Sequence, residues 1–311
     1  MAEFNLVKIS GEPLEKLIDV ISRGIGTIYK PRAIRKEADA EAYRTEVLER
    51  AKSKALAEGK EIETDSYMRV QERLLCQEMK RQQNIDKVSL VAIEQLSQEQ
   101  AVSKEPVDDD WTTRFLNIVK DISDEEMQRL WGKILAGEVK QPRSYSLRTL
   151  ELLKNISRQD AEAFIKAANF VISCNDTNFI FKWENDELSE KFNLHFLDFA
   201  KLVEIGLLQP SDLVQFTLNQ ATEDIATVFT SNSTIIIINR KANTPAINIP
   251  TYLFTTSGNE ILKLISGEPQ FDYLKIFAKS IRQNNITVKY GQILERIPEG
   301  IRHTALLDFP E

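Results

Sequence analysis

The sequence contains little of the chemistry on which most catalytic and metal sites depend. Its 311 residues include two cysteines, Cys76 and Cys174, and two histidines, His195 and His303. The cysteines are far apart and have no spacing typical of a zinc site or a disulfide framework. Two histidines also provide little capacity for general-base catalysis. We therefore expect a reducing compartment, no metal, no cofactor and no enzymatic activity.

Motifs for membrane insertion, secretion and phosphate binding are missing as well. Apolar runs such as Ile235 to Ile238 are strand-sized, whereas a membrane-spanning helix needs about 20 apolar residues. The first residues, MAEFNLVKISGEP, lack the basic start and the apolar run of a signal peptide. The chain has no phosphate loop, no complete GxGxxG and no GxSxG. These absences predict a cytoplasmic protein.

A net positive charge is also missing. Lys and Arg number 40 against 47 Asp and Glu, which gives a formal net charge of −7. This balance disfavours broad, non-specific binding of nucleic acid. Hydrophobic residues make up 42% of the chain, an ordinary value for a globular protein, so a packed core is expected. We predict a mostly α protein with an α+β C-terminal part.

Residues 1–100 are predicted to form an amphipathic helix followed by a long helical stalk. Apolar residues from Leu14 to Ile28 lie at the spacing of one helix face. Gly24, Gly26 and Pro31 predict a break near residues 24–31, because glycine and proline weaken or interrupt helices.

The charged tract that follows is rich in helix-forming residues. It contains a narrow apolar stripe that includes Met68, Leu75, Met79 and Ile85. Such a stripe is typical of a helical hairpin or of coiled-coil-like self-association, and equally of a single helix that packs on the protein body. A homo-oligomer is therefore one expectation.

A polar, acidic stretch at residues 97–110 predicts the main domain boundary, and residues 110–172 then form a helical array. Within the array, DISDEEMQRLWGKILAGE concentrates carboxylates next to a tryptophan. Ser123 is predicted to cap the helix, with Glu126 as its capping-box partner and Ile122 and Met127 as a hydrophobic staple. The acids are therefore assigned to helix initiation rather than to a metal site, and Trp131 to the core.

Residues 173–311 are predicted to form a winged-helix-like α+β domain with a helix–strand appendage. The order of a strand, two short helices and further strands is typical of such a domain. In the second short helix we predict that four residues face inward before Gly206 ends it: Phe196, Phe199, Leu202 and Val203.

Two groups of cations are candidate contacts for nucleic acid or another anion. The first group adjoins the amphipathic helix and comprises Lys30, Arg32, Arg35 and Lys36. With that helix it could lie on an anionic membrane or contact a phosphate, but we favour packing of the apolar face on the helical body. The second group lies in the winged-helix-like domain and comprises Lys191, Lys201, Arg240 and Lys241. Glu187, Glu190, Asp198 and Glu204 oppose these cations, so binding of protein is favoured over binding of DNA.

Three segments resemble the bacterial domain-of-unknown-function family 2806: GIGTIYKPRAIRKEADAEA, DISDEEMQRLWGKILAGEVKQP and YLFTTSGNEILKLI. The middle segment is also similar to the Abi-alpha family, which is named for abortive infection. The first resemblance implies no activity and no functional residue. The second implies, by analogy alone, a role in phage defence.

These observations lead to one main functional hypothesis and two alternatives. The main hypothesis is a non-enzymatic interaction or scaffold protein, in phage defence by that analogy, which oligomerises through its stalk and binds a protein partner. The first alternative is a winged-helix regulator that binds DNA. The second is a peripheral membrane effector that acts through residues 14–36.

Overall fold

A computed structural model describes residues 11–26, 61–183, 186–210, 214–297 and 300–310, together with the isolated residues 46, 49, 50 and 53. The chain divides into two units, Met1–Leu150 and Glu151–Glu311. The described part of the first unit is helical, and the second combines helices with a nine-stranded antiparallel sheet. The predicted mostly α protein with an α+β C-terminal part is confirmed at this level.

Five described helices begin in the first unit, and the last of them extends past Leu150. They are α1 (Glu12–Ile25), α2 (Glu61–Leu96), α3 (Asp109–Val119), α4 (Glu125–Lys140) and α5 (Leu147–Asn155). Five more follow in the second unit: α6 (Arg158–Ala168), α7 (Asp186–Phe192), α8 (Phe196–Glu204), α9 (Thr256–Leu262) and α10 (Phe271–Ile281).

Helix α1 buries its apolar face against α3 and α4. Leu17, Val20 and Ile21 are fully buried, each with an exposed fraction of 0%. The helix ends where the break was predicted, because Gly26 adopts a left-handed φ of 71° and its N–H donates to the carbonyl of Arg23. The four cations at residues 30–36 lie outside the described residues.

Helix α2 belongs to the same unit as the helices that follow it. Its C-terminal half packs on α4, where the Cβ of any larger residue at Gly132 would lie 2.5 Å from the Cβ of Val91. Of the predicted stripe, Ile85 is buried and the other three residues are half-buried. The stretch at residues 97–110 connects helices within one unit, and the contacts divide the chain after Leu150.

The acidic start of α4 differs from the prediction by one residue. The N-cap is Asp124, whose carboxylate accepts a hydrogen bond from the N–H of Met127 at 2.9 Å, so the prediction of Ser123 is wrong. Both residue types cap well, and the choice depends on where the backbone leaves the extended conformation. Asp121 forms an ion pair with Arg81 at 2.9 Å, and Trp131 is fully buried as predicted.

A buried carboxylate stabilises the turn that follows α4. Glu138 accepts hydrogen bonds from the backbone N–H groups of Arg143 at 2.6 Å and Tyr145 at 3.0 Å. These two bonds hold the turn after α4, in which Arg143 has a left-handed φ of 68°. Because the carboxylate binds amides of its own chain, Glu138 has a structural role.

The strands of the sheet are β1 (Ile172–Cys174), β2 (Thr177–Phe181), β3 (Gln215–Leu218), β4 (Ile225–Ser231), β5 (Thr234–Arg240), β6 (Ile247–Leu253), β7 (Ile286–Ile297), β8 (Gly300–His303) and β9 (Leu307–Asp308). Their order is β3-β6-β2-β1-β4-β5-β7-β8, with β9 paired to β7. Helix α10 packs on one face through an aromatic core, in which the rings of Phe229 and Phe277 lie 5.8 Å apart.

Local signals at two further helices agree with the structure. The segment SRQDAEAF predicts a cap at Ser157 with Asp160 three residues later, and these two residues form the capping box of α6. For α9 the sequence offers Thr255, Thr256 or Ser257 as the cap, and the hydroxyl of Thr255 accepts a hydrogen bond from the N–H of Gly258. Both caps are short-range contacts, which explains why the sequence identified them.

Candidate interaction surface

Helix α8 is anchored to the second unit through one side. The ring of Phe199 stacks on Tyr252 of β6 with ring centroids 4.2 Å apart, and Leu202 is fully buried. The carboxylate of Asp198 accepts the N–H of His195 at 2.9 Å, which fixes the start of the helix. Gly206 ends it with a φ of 81°, as predicted. The helix is therefore held at both ends and along its inner side.

The opposite side of α8 presents apolar residues to solvent. Phe196 is 72% exposed and Leu197 is 76% exposed, and Ala200 and Glu204 are exposed on the same side one and two turns later. We call the side chains of Phe196, Leu197, Ala200 and Glu204 the α8 surface. Large apolar side chains that adjoin on one exposed helix turn are typical of an interaction site.

Phe196 was predicted to face inward, and this prediction is wrong. In FLDFAKLVE, apolar residues occupy more than one side of the helix. The side with Phe199 and Leu202 meets the sheet, and among the residues that the structure describes no further layer covers Phe196 and Leu197. An excess of apolar residues over one face is the signal in the sequence that could have located this surface.

The charges around the α8 surface are mixed but include exposed acids. Glu190 lies 3.9 Å from the ring of His195 and is largely exposed. The hydrogen bond from the Ser157 hydroxyl, and to a smaller extent the charge of the half-buried Lys201, lowers the pKa of Asp160. Among the exposed residues of α8, Glu204 is the charged one, and the half-buried Lys201 lies one turn after Leu197.

The predicted contact cations of the second unit have other surroundings. Lys191 forms an ion pair with Asp272 at 2.6 Å, which lowers the pKa of that carboxyl. Lys241 forms one with Asp224 at 2.8 Å, with the same effect on Asp224.

Arg240 does not fit the contact role that the sequence suggested for it. It is 6% exposed and donates a hydrogen bond to the carbonyl of Asn219. Because the residue ends β5 on the core face, its guanidinium is not available to a surface ligand. Among the described candidates, none combines full exposure with freedom from a nearby acid.

Groups suited to nucleophilic or metal chemistry do not converge in the described residues. The part of the chain that the structure describes has no cluster of three His, Cys, Asp or Glu side chains that could hold a metal ion. Burial raises the pKa of the Cys174 thiol to about 11, so this thiol stays protonated at neutral pH. No helix within the described ranges is both long and apolar enough to cross a membrane.

Comparisons with known proteins identify one family. A family model described as "Protein of unknown function (DUF2806)" matches residues 68–278, about two thirds of the chain. No curated protein and no solved structure matches. The matched range includes most of α2, the helical array and the sheet as far as α10.

Proposed function

Since the chain belongs to the DUF2806 family, whose description assigns no activity, we propose a function from the geometry alone. The protein is a non-enzymatic interaction protein. Its second unit contains a winged-helix-like module that binds another protein through the α8 surface. The observation that carries this proposal is the exposure of Phe196 and Leu197 on a helix that is otherwise firmly anchored.

The order of elements supports a winged-helix-like module. Helix α6, strand β2, helices α7 and α8, and strands β3 and β6 follow one another along the chain. In the sheet, β6 lies between β2 and β3 and is antiparallel to both. This order resembles that of a winged helix, in which the third strand pairs with the first and the second. Helix α8 would then correspond to the third helix. Strands β4 and β5 follow β3 in sequence, where a winged helix has its wing, but here they also pair with β1 and β7 in the sheet.

The chemistry of α8 favours a protein over DNA as the partner. A helix that enters the major groove offers Arg, Lys, Asn or Gln to base edges, with cations for the phosphates. The α8 surface offers Phe196, Leu197, Ala200 and Glu204 instead. Glu204 and the exposed Glu190 would repel phosphates, whereas they complement basic residues at the rim of an apolar partner surface.

A capture experiment with matched variants tests the proposal. The purified chain and its Phe196→Asp variant are used as baits, with Leu294→Asp as the control, since Leu294 in β7 is 67% exposed but not on α8. We expect a defined protein to be retained by the parent and by Leu294→Asp, and lost with Phe196→Asp. Retention of the same proteins by all three baits would contradict the α8 surface.

The DNA-binding and membrane alternatives predict different results. A DNA-binding regulator would shift a labelled duplex at low salt and lose this shift when Lys191 and Lys201 are neutralised. A membrane effector needs the apolar side of α1, but Leu17, Val20 and Ile21 are buried.

Oligomerisation through the α2 stalk and a place in phage defence are further proposals. Exposed Val70 and Leu74 on α2 support the first. The second depends on the resemblance to the Abi-alpha family alone.

A further inference from the structure

Strand β3 occupies one edge of the sheet, and its register with β6 fixes where its backbone groups point. The N–H of Thr251 donates to the carbonyl of Val214 at 3.1 Å, and Phe216 and Leu218 lie opposite Ile249 and Ile247. In an antiparallel ladder, alternate residues bond to the same neighbour. The N–H and C=O groups of Gln215 and Thr217 therefore point away from β6, and among the described strands none pairs with that side.

The two edges of the sheet differ in how they are protected. At the other edge, the pairing of β7 with β8 contains a register shift between Ile293 and Glu295, and Arg302 forms an ion pair with Glu295 at 3.1 Å. Bulges and charges of this kind prevent an edge from pairing with another chain. Strand β3 has neither, because its pairing is regular and QFTLNQ at residues 215–220 contains no charge and no proline.

We propose that β3 pairs with β3 of a second copy of this chain, antiparallel and about a two-fold axis at Phe216. In this register Gln215 lies opposite Thr217 of the second copy, and their outward groups form four backbone hydrogen bonds. Any charge on β3 would lie near the same charge of the second copy, but β3 carries none, so the paired strands themselves bring no like charges together.

Phe216 adds an apolar contact at the axis. Its ring is half-buried and stacks on Phe179 with ring centroids 4.9 Å apart, so it is held in place within one chain. The two-fold register brings the Phe216 residues of the two copies opposite each other, where aromatic pairs stabilise a ladder. Because only four residues of each copy pair, the interface is small, and we expect a weak dimer that forms at high protein concentration. This inference uses no residue of the α8 surface and is independent of the proposed function.

Sedimentation equilibrium over about 1–200 µM of the full chain tests the inference, with Thr217→Pro as the variant. Of the backbone groups of β3, proline removes only the outward N–H of residue 217, and an edge strand tolerates proline at such a position. We expect the parent to dimerise and Thr217→Pro to weaken the dimer at least about tenfold, the effect of about 1.4 kcal/mol.

Thr217→Val is the matched control. The Thr217 hydroxyl donates to the side chain of Asn248 at 2.9 Å, and both variants lose this bond, but valine keeps the outward N–H. We expect Thr217→Val to dimerise like the parent. If Thr217→Pro fails to fold, hydrogen exchange of the parent replaces it. The amides of Gln215 and Thr217 should then exchange slowly at high concentration and rapidly at low concentration.

Two results would overturn the inference. A parent that is monomeric at every concentration excludes the dimer, and a dimer equally stable in Thr217→Pro assigns it to another surface, such as α2. Phe196→Asp should dimerise like the parent, so that a failure of the α8 surface and a failure of the β3 edge are distinguished.

Discussion

Helices α1 and α8 both have an apolar side, but the apolar residues of the two helices differ in burial. Leu17, Val20 and Ile21 of α1 are fully buried, whereas Phe196 and Leu197 of α8 are largely exposed. The difference lies in what surrounds each helix: α1 packs on α2, α3 and α4, whereas α8 contacts its unit through its inner side. Apolar spacing therefore identifies an amphipathic helix but does not establish how much of it is covered.

The largest expected effect comes from a charge on the covered helix. Ile21→Asp should lower the free energy of unfolding by about 4 kcal/mol or more, because it buries an unpaired carboxylate among α1, α3 and α4. Urea denaturation followed by circular dichroism measures this loss. A stable Ile21→Asp variant that merely fails to sediment with anionic vesicles would instead support a membrane role for α1.

A smaller loss is expected from enlarging a residue at a helix contact. Gly132→Ala should cost about 1–3 kcal/mol, because its Cβ would lie 2.5 Å from the Cβ of Val91 and 2.9 Å from the carbonyl of Val88. Ala200→Leu on the exposed side of α8 is the counterpart and should leave the unfolding midpoint unchanged. Equal losses in the two variants would show that α8 is covered as closely as α4.

At the start of α4, the capping residue Asp124 can be compared with its neighbour Ser123, which does not cap the helix. Asp124→Ala should cost about 1 kcal/mol, since it removes the acceptor for the N–H of Met127. Ser123→Ala makes no such change and should cost close to nothing. Thermal melts of the two variants distinguish them, and a larger loss for Ser123→Ala would move the cap back to the residue that the sequence suggested.

The smallest effect is expected on the exposed helix itself. Leu197→Asp should change the free energy of unfolding by less than about 0.5 kcal/mol, because the side chain is surrounded by solvent in the free protein. Chemical denaturation checks this value next to Ile21→Asp. A loss of several kcal/mol would mean that Leu197 supports the fold, and the α8 surface would no longer be a candidate for binding.

Prediction from the sequence succeeded where a signal is contained in a few neighbouring residues. The cap at Ser157, the left-handed ends at Gly26 and Gly206, and the burial of Trp131 follow from short patterns. The candidate site was harder to predict. Lys and Arg residues were chosen as candidate contacts because cations bind phosphates. The residue type does not show whether an acid forms an ion pair with the cation or whether a loop buries it. Arg240, with its hydrogen bond to Asn219, illustrates this limit.

The sequence by itself determined the helical first part, several strands of the second part and the family, because local propensities, caps and motif segments are properties of adjacent residues. The tertiary structure decided which of these elements meet. It placed β6 between β2 and β3, put Glu138 beside two amides, left Phe196 and Leu197 uncovered and made β3 an uncharged edge. Each of these outcomes depends on residues distant in the chain, since burial and pairing are set by the opposite surface rather than by the neighbouring sequence.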